Sequence, residues 1–313
     1  MFHNKNIFIA LTYRCNAFCK KCMTRYHVNR DIEMSKENLN RFFELLKKND
    51  FKGMISVGTG EPLLYSGIDS FVYNVLNVND QVRLRLLTNG MLLSENNVSK
   101  LFSKRCKWGV TMDAFYQNTL DGLQVGVDIE KVKYNVTSVA KRYGGSQMYL
   151  NFTVYNDNID EMLPFCKFAI KNGVRDVYFT ELKIFSGYER ELEAHRVVHD
   201  EHFKETVLLI KKILIQNGIS TSGINFDNKV QRLKCYESNK ASPIIDVDGR
   251  VTFCSGREDV FVGNILDDDI EEKWLDYCNR ISCLNGKWCD LCFDHMLDNG
   301  SYRLPRTIRK EKM

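Results

Sequence analysis

Three thiols crowd into "RCNAFCKKCMTR" (Arg14–Arg25): Cys15, Cys19 and Cys22, with no further cysteine until Cys106. Structural zinc and most iron–sulfur clusters take four protein ligands, so a three-thiolate site has one position open to another ligand. A zinc site completed by His27 is the plainer alternative. A second set of thiols comes late. Of eleven cysteines, six follow residue 230: Cys235, Cys254, Cys278, Cys283, Cys289 and Cys292. Cys289-x2-Cys292 is a two-thiol knuckle, and spacing alone does not separate zinc from iron–sulfur there. An odd cysteine count without an evident signal peptide points to metal binding or reactive thiols in the cytoplasm, not to a disulfide framework.

The elements that must position these thiols alternate. β-rich runs at Ile7–Leu11, Met54–Val57, Val82–Leu87, Trp108–Met112, Met148–Val154 and Asp176–Thr180 are separated by amphipathic stretches at 35–48, 67–77, 94–104, 129–143 and 159–172. Ser35 and Ser94 suit helix N-caps, and Gly173 stands where a helix-ending glycine belongs. Six strands alternating with helices predict an α/β fold with a parallel sheet, an open doubly wound sheet or an arc of a barrel. After a helical segment at 199–217 the texture changes. "SPIIDVDGRVTFC" predicts a hairpin about Asp248-Gly249, and "VGNILDDDIEEKWL" a turn and a helix. The expected domains are 1–217 and 218–313, the second small enough to need a metal.

The first cysteine loop follows the first strand, where parallel strands place their sites. "VGTGEP" ends the second strand, "LLTNG" the third and "VTMDAF" the fourth. Glycines 58 and 60 let backbone amides approach a ligand, and Glu61 can accept from an ammonium. With these motifs, the sequence resembles the radical S-adenosylmethionine (SAM) enzymes over residues 7 to about 217. The resemblance implies a partial (β/α)6 TIM-like barrel, with Cys15, Cys19 and Cys22 on a [4Fe–4S] cluster. The unligated iron then takes the amino and carboxylate groups of SAM, and reduction cleaves SAM to a 5′-deoxyadenosyl radical that abstracts hydrogen from substrate. Thr59, Gly60 and Glu61 match the Gly-Gly-Glu stretch at the methionyl ammonium, with threonine for the first glycine. Thr88, Asn89 and Gly90 match the "TNG" motif, Thr111 and Asp113 the Ser/Thr-x-Asp near ribose and carboxylate, and Asn151 and Thr153 positions that face the cofactor. One departure stands out. Lys21 occupies the place of an aromatic that packs near adenine, and Phe18 or Tyr26 are the stand-ins.

The late cysteines resemble the SPASM/twitch extension of the same superfamily, in a shortened form. That resemblance implies one auxiliary [4Fe–4S] cluster on Cys235, Cys254, Cys289 and Cys292; four-cysteine zinc is the alternative. Cys278 and Cys283 stay unassigned as hydrogen donors to a substrate radical or as substitutes for a ligand. Cys106 and Cys166 read as buried small hydrophobes. Glu181 and Lys183, with Tyr155 and Asn156, stand at the barrel mouth as substrate-binding groups or a base. His195, His199 and His202 fall at i, i+4 and i+7, the spacing of one helix face, expected to be wet rather than metal-binding.

The implied activity is oxidative modification of a ribosomally made peptide. The alternatives are dehydrogenation of an aminocyclitol, peptide epimerisation with a cysteine donor, and a non-catalytic zinc module gripping RNA. The resemblance also implies a flavodoxin- or ferredoxin-type electron donor. A net charge of +4 is too weak to argue for nucleic acid, and the basic run 303–312 reads as a solvated tail. No apolar run approaches a membrane span, since "VLLIKKILI" is split by two lysines. No separate peptide-binding domain is expected ahead of the barrel.

Overall fold

The computed structural model describes residues 6–22, 30–182, 192–224, 226, 242–252 and 261–282. Its principal sheet is built on six parallel strands in chain order: β1 (Ile7–Ala10), β3 (Met54–Gly58), β4 (Arg83–Thr88), β5 (Cys106–Met112), β7 (Met148–Val154) and β8 (Asp176–Glu181). Each adjacent pair is parallel, as right-handed crossovers through helices require. The α/β arc matches the partial barrel expected from the sequence.

Strand alternation explains why the arc closes over helices on one side. Ile7, Ile9, Ile55, Val57, Leu84, Leu86, Trp108, Val110, Leu150 and Phe152 are buried on one face. Against them pack helices α1 (Lys36–Lys48), α2 (Ile68–Leu76), α3 (Glu95–Leu101), α4 (Ile129–Tyr143) and α5 (Met162–Lys171), through residues such as Phe42, Val75, Val98, Val136 and Phe165. The other face carries Gly58, Gly109, Thr111, Asn151, Thr153 and Thr180, a mostly polar surface turned inward. A site belongs on that face.

The caps follow the sequence. Ser35 Oγ accepts from Asn38 N at 3.1 Å, and Ser94 Oγ from Asn97 N at 3.2 Å. Gly173, at φ +67°, closes α5 in the left-handed conformation. Two helices differ from expectation. α3 stops at Leu101 because Phe102 turns extended towards β5. The segment expected as helix from 159 opens as a 3-10 turn, Asn156–Glu161, kinked at Asn158, whose side chain is committed elsewhere. The helix Glu201–Gln216 starts after Asp200, whose carboxylate accepts from Phe203 N at 2.9 Å.

The predicted hairpin is present, and it extends the barrel sheet. β9 (Ile244–Ile245) runs parallel to β1, with Phe8 opposite Ile244 and Ile9 opposite Ile245. β10 (Arg250–Thr252) and β11 (Phe261–Asn264) continue antiparallel, giving nine strands. Gly249, at φ +86°, makes the turn. Tyr13 donates its hydroxyl to Asp246 at 2.5 Å, a second tie between hairpin and barrel. The helix Ile270–Ser282 follows, anchored by Glu271 accepting from Lys48 and Asn49 at 2.6 and 2.8 Å. No helix among the described residues is long and apolar enough to cross a membrane.

Candidate active site

The carboxyl ends of β1, β3, β4 and β5 surround a cavity of about 340 Å³. Cys15, Cys19 and Cys22 line it together with Thr59, Gly60, Glu61, Thr88, Asn89, Thr111 and Asp113. Ten residues named from four separate motifs therefore share one cavity. Asn151 and Thr153 do not line it. Asn151 accepts from Thr180 Oγ1 at 3.0 Å, and Thr153 is buried behind Lys21.

The cysteine loop is held by backbone contacts unforeseen in the sequence. A short ladder, β2 (Phe18–Cys19) against β6 (Gln124–Val125), fixes its middle, and Lys20 N donates to Leu123 O at 2.9 Å. Arg30 donates to the carbonyls of Cys15 and Ala17 at 3.3 and 3.1 Å. Burial pushes the Cys15 and Cys19 thiols above the ordinary range; a nearby Asp113 carboxylate adds to it at Cys19. Among the described residues no three His, Cys, Asp or Glu groups gather closely enough for a single ion. A cubane cluster, whose irons sit at separate corners, instead asks for thiols spaced about it.

The "GTGE" loop meets this loop backbone to backbone. Glu61 N donates to Arg14 O at 2.7 Å. Gly60 has φ +71°, and a Cβ there would lie 2.3 Å from Thr12 O. Thr59 holds φ +64°, a costly conformation for a β-branched residue. The Glu61 carboxylate is 1% exposed and engaged by protein donors: Thr88 Oγ1 at 2.8 Å, Asn89 N at 2.9 Å and Leu63 N at 3.3 Å. Burial nevertheless pushes its pKa up to about 7, the hydrogen bonds offsetting part of the shift. Glu61 thus braces "TNG" against "GTGE". Asn89 reaches back to Asn16 Oδ1 at 2.7 Å, closing the ring of loops.

Asp113 is fully buried, and its Oδ2 lacks a hydrogen-bond partner among the described residues. A buried carboxylate oxygen without a donor is costly, and one aimed at a cavity suits a hydroxyl-bearing ligand. Lys21 Nζ reaches Oδ1 at 2.5 Å. Two bracing residues escaped the sequence reading. Asn158 Nδ2 donates to Asp113 O at 2.7 Å and Thr153 O at 2.8 Å, while its Oδ1 accepts from Tyr155 N at 2.8 Å. Glu161 accepts from Phe115 N at 2.5 Å and Tyr116 N at 3.1 Å, holding the loop after β5. In sequence both look like polar turn residues; nothing local marks them.

Other candidates fall outside the cavity. Glu181 ends β8 but pairs with His199 at 3.1 Å. Tyr155 is buried at the end of β7, its hydroxyl unpartnered among the described residues. Cys278 packs at the core margin on the helix Ile270–Ser282. The three histidines do not share a helix face: His195 meets Asp157 at 2.7 Å and His202 meets Asp160 at 2.8 Å, each ring on its own carboxylate. Extended backbone between His195 and Asp200 breaks the expected period. Cys106 and Cys166 are buried, as expected. Cys235, Cys254, Cys283, Cys289, Cys292, His27, Tyr26 and Lys183 lie outside the described residues.

The model of the radical SAM superfamily matches residues 9–169, slightly more than half the chain. The protein belongs to that superfamily. Membership implies a [4Fe–4S] cluster, SAM and catalysis, and the cavity suits them: three thiols, a glycine cradle and an unsatisfied carboxylate oxygen. The GTP 3′,8-cyclase of Clostridium perfringens (strain SM101 / Type A) is 26% identical over 179 residues, 56% of this chain and 54% of that protein. The chain thus spans about half the length of the curated relatives it matches. Among solved structures, Streptococcus suis SuiB bound to precursor peptide SuiA has a TM-score of 0.68 at 14% identity, over 92% of this chain and 68% of that one. BtrN in complex with AdoMet and 2-DOIA has a TM-score of 0.52 at 17% identity, over 90% and 86%. At such identities these structures speak for the shared fold alone.

Proposed function

We propose that this radical SAM enzyme oxidatively modifies a ribosomally made peptide. Cys15, Cys19 and Cys22 would hold the cluster, which, once bound and reduced, supplies the electron that cleaves SAM to a 5′-deoxyadenosyl radical. The remaining work falls to this chain's own groups. The Gly60 backbone and Thr59 receive the methionyl end, Thr111 and Asp113 the ribose, and Glu61 keeps "GTGE" and "TNG" in register. Asn158 and Glu161 hold the Asp113 loop rigid. A second unit over 218–313 would carry an auxiliary cluster on Cys235, Cys254, Cys289 and Cys292. After hydrogen abstraction a closed-shell oxidised product requires the loss of an electron and a proton, and such a cluster would supply the electron acceptor.

What supports the choice of substrate is likeness in fold: a peptide-bound structure has a TM-score of 0.68 against 0.52 for BtrN, each over about nine-tenths of the chain. Likeness to the GTP 3′,8-cyclases, closer in identity, supports a second reading with a purine nucleotide as substrate, but it covers only about half the chain. The test is anaerobic reconstitution with iron, sulfide and SAM, then incubation with short peptides encoded beside the gene, with GTP and with an aminocyclitol. About eight irons per chain fits two clusters and about four fits one. 5′-Deoxyadenosine formation coupled to a peptide losing two hydrogens supports the proposal. Turnover of GTP alone refutes it in favour of the second reading.

A further inference from the structure

Lys21 lies between two of the three cavity thiols, and its side chain runs inward, 23% exposed. Its ammonium donates to Thr153 Oγ1 and pairs with Asp113 Oδ1 at 2.5 Å. Asp113 directly follows β5 and Thr153 lies on β7, so the lysine spans that end of the site. Asp113 is fully buried and needs a partner in every state of the protein. Two kinds of partner can reach it: the Lys21 cation, or hydroxyl donors of a ligand. A ribose diol engaging both carboxylate oxygens takes the open Oδ2 and competes with the lysine for Oδ1. Charge sharpens the competition, because SAM brings a sulfonium and an ammonium into a cavity that already holds a lysine.

We propose that Lys21 is a specificity-determining residue of this cavity: its ammonium holds the Asp113–Thr153 end while no nucleoside is bound, and SAM binds by displacing it. The inference rests on the SAM reading above. Its consequence is selective: a ligand with ribose hydroxyls exchanges with the lysine, whereas methionine alone leaves the ion pair intact. Apparent affinity falls by the fraction of chains with Asp113 released, so about nine in ten closed weakens SAM binding about tenfold.

The test uses the full chain, reconstituted anaerobically for equilibrium dialysis with SAM and with methionine, and cluster-free for thermal unfolding. Lys21→Met should bind SAM about tenfold more tightly with methionine binding unchanged. The same variant should lower Tm of the cluster-free chain by about 4 °C, because Asp113 loses its cation. Lys21→Gln, which keeps a donor for Asp113, should fall between wild type and Lys21→Met on both readouts, and it carries the test if the methionine variant does not fold. SAM binding that is unchanged or weaker in both variants, with wild type binding normally, overturns this inference alone. A wild-type chain that holds its cluster yet binds no SAM overturns the proposed function and this inference together.

Discussion

Substituting Gly60 by alanine tests whether the "GTGE" loop is wedged against the cysteine loop. The residue sits at φ +71°, and an added Cβ would lie 2.3 Å from Thr12 O and 2.8 Å from Arg14 O. Both obstacles are backbone, so neither can swing aside. The left-handed conformation costs a non-glycine residue about 1–2 kcal/mol, of which the lost flexibility of glycine returns about 0.5–1. Forcing a methyl group into packed backbone adds about 1–3 kcal/mol. The sum, about 2–4 kcal/mol, should lower Tm of the cluster-free chain by about 5–10 °C, read by calorimetry or urea melts. Glu61 N donates to Arg14 O at 2.7 Å, so the push also reaches the cysteine loop, and iron retained after reconstitution should fall. Thr59 supplies the opposite sign. It holds φ +64° with a β-branched side chain, so Thr59→Gly should raise stability by about 0.5–1 kcal/mol. A Gly60→Ala protein with wild-type Tm and iron content would refute the wedge.

Two further outcomes follow from the same geometry. Glu61 carries a pKa of about 7 in the folded chain, above its ordinary value of 4.5, because it is buried. The folded chain therefore keeps a proton that the unfolded chain releases, and stability falls as pH rises from about 4.5 to 7, by about 3 kcal/mol. Glu61→Gln should remove that slope in urea melts of cluster-free protein, and an equally steep slope in the variant would contradict the burial argument. Asn158→Ala strips the carbonyls of Asp113 and Thr153 and the amide of Tyr155 of their partners, all within a buried site. It should cost about 3 kcal/mol or more and weaken SAM binding as Asp113 loosens; unchanged dialysis and Tm would show the bridge to be dispensable.

The strands and the cavity were legible for different reasons. Ile7, Ile9, Ile55, Val57, Leu84 and Leu86 declare buried strands by alternation, which is local and needs no partner. The cysteine, "GTGEP" and "TNG" motifs declare the cavity because their glycines and thiols have few other uses at strand ends. Asn158 and Glu161 were not legible, since their partners lie about 45 residues away and turn-forming residues look alike until folded. The histidines misled for the converse reason: a helical spacing was present, but Asp200 caps the helix after two of them. Lys21 was visible as an oddity, and only the proximity of Asp113 and Thr153 gives it a role.

β1 leads into the loop bearing Cys15, and β9 is hydrogen-bonded alongside β1; β10, two residues before Cys254, is the next strand over. The roots of the early and late thiol segments are therefore mounted on one lattice, with no free hinge between those roots. If the late cysteines hold the proposed second cluster, electron exchange with the first would decay steeply with separation, and a shared lattice would keep the starting points of that separation constant while substrates come and go. Tuning such a path would fall to the register of a few strand pairs, Phe8 with Ile244 and Val251 with Ile245, rather than to the closing of domains.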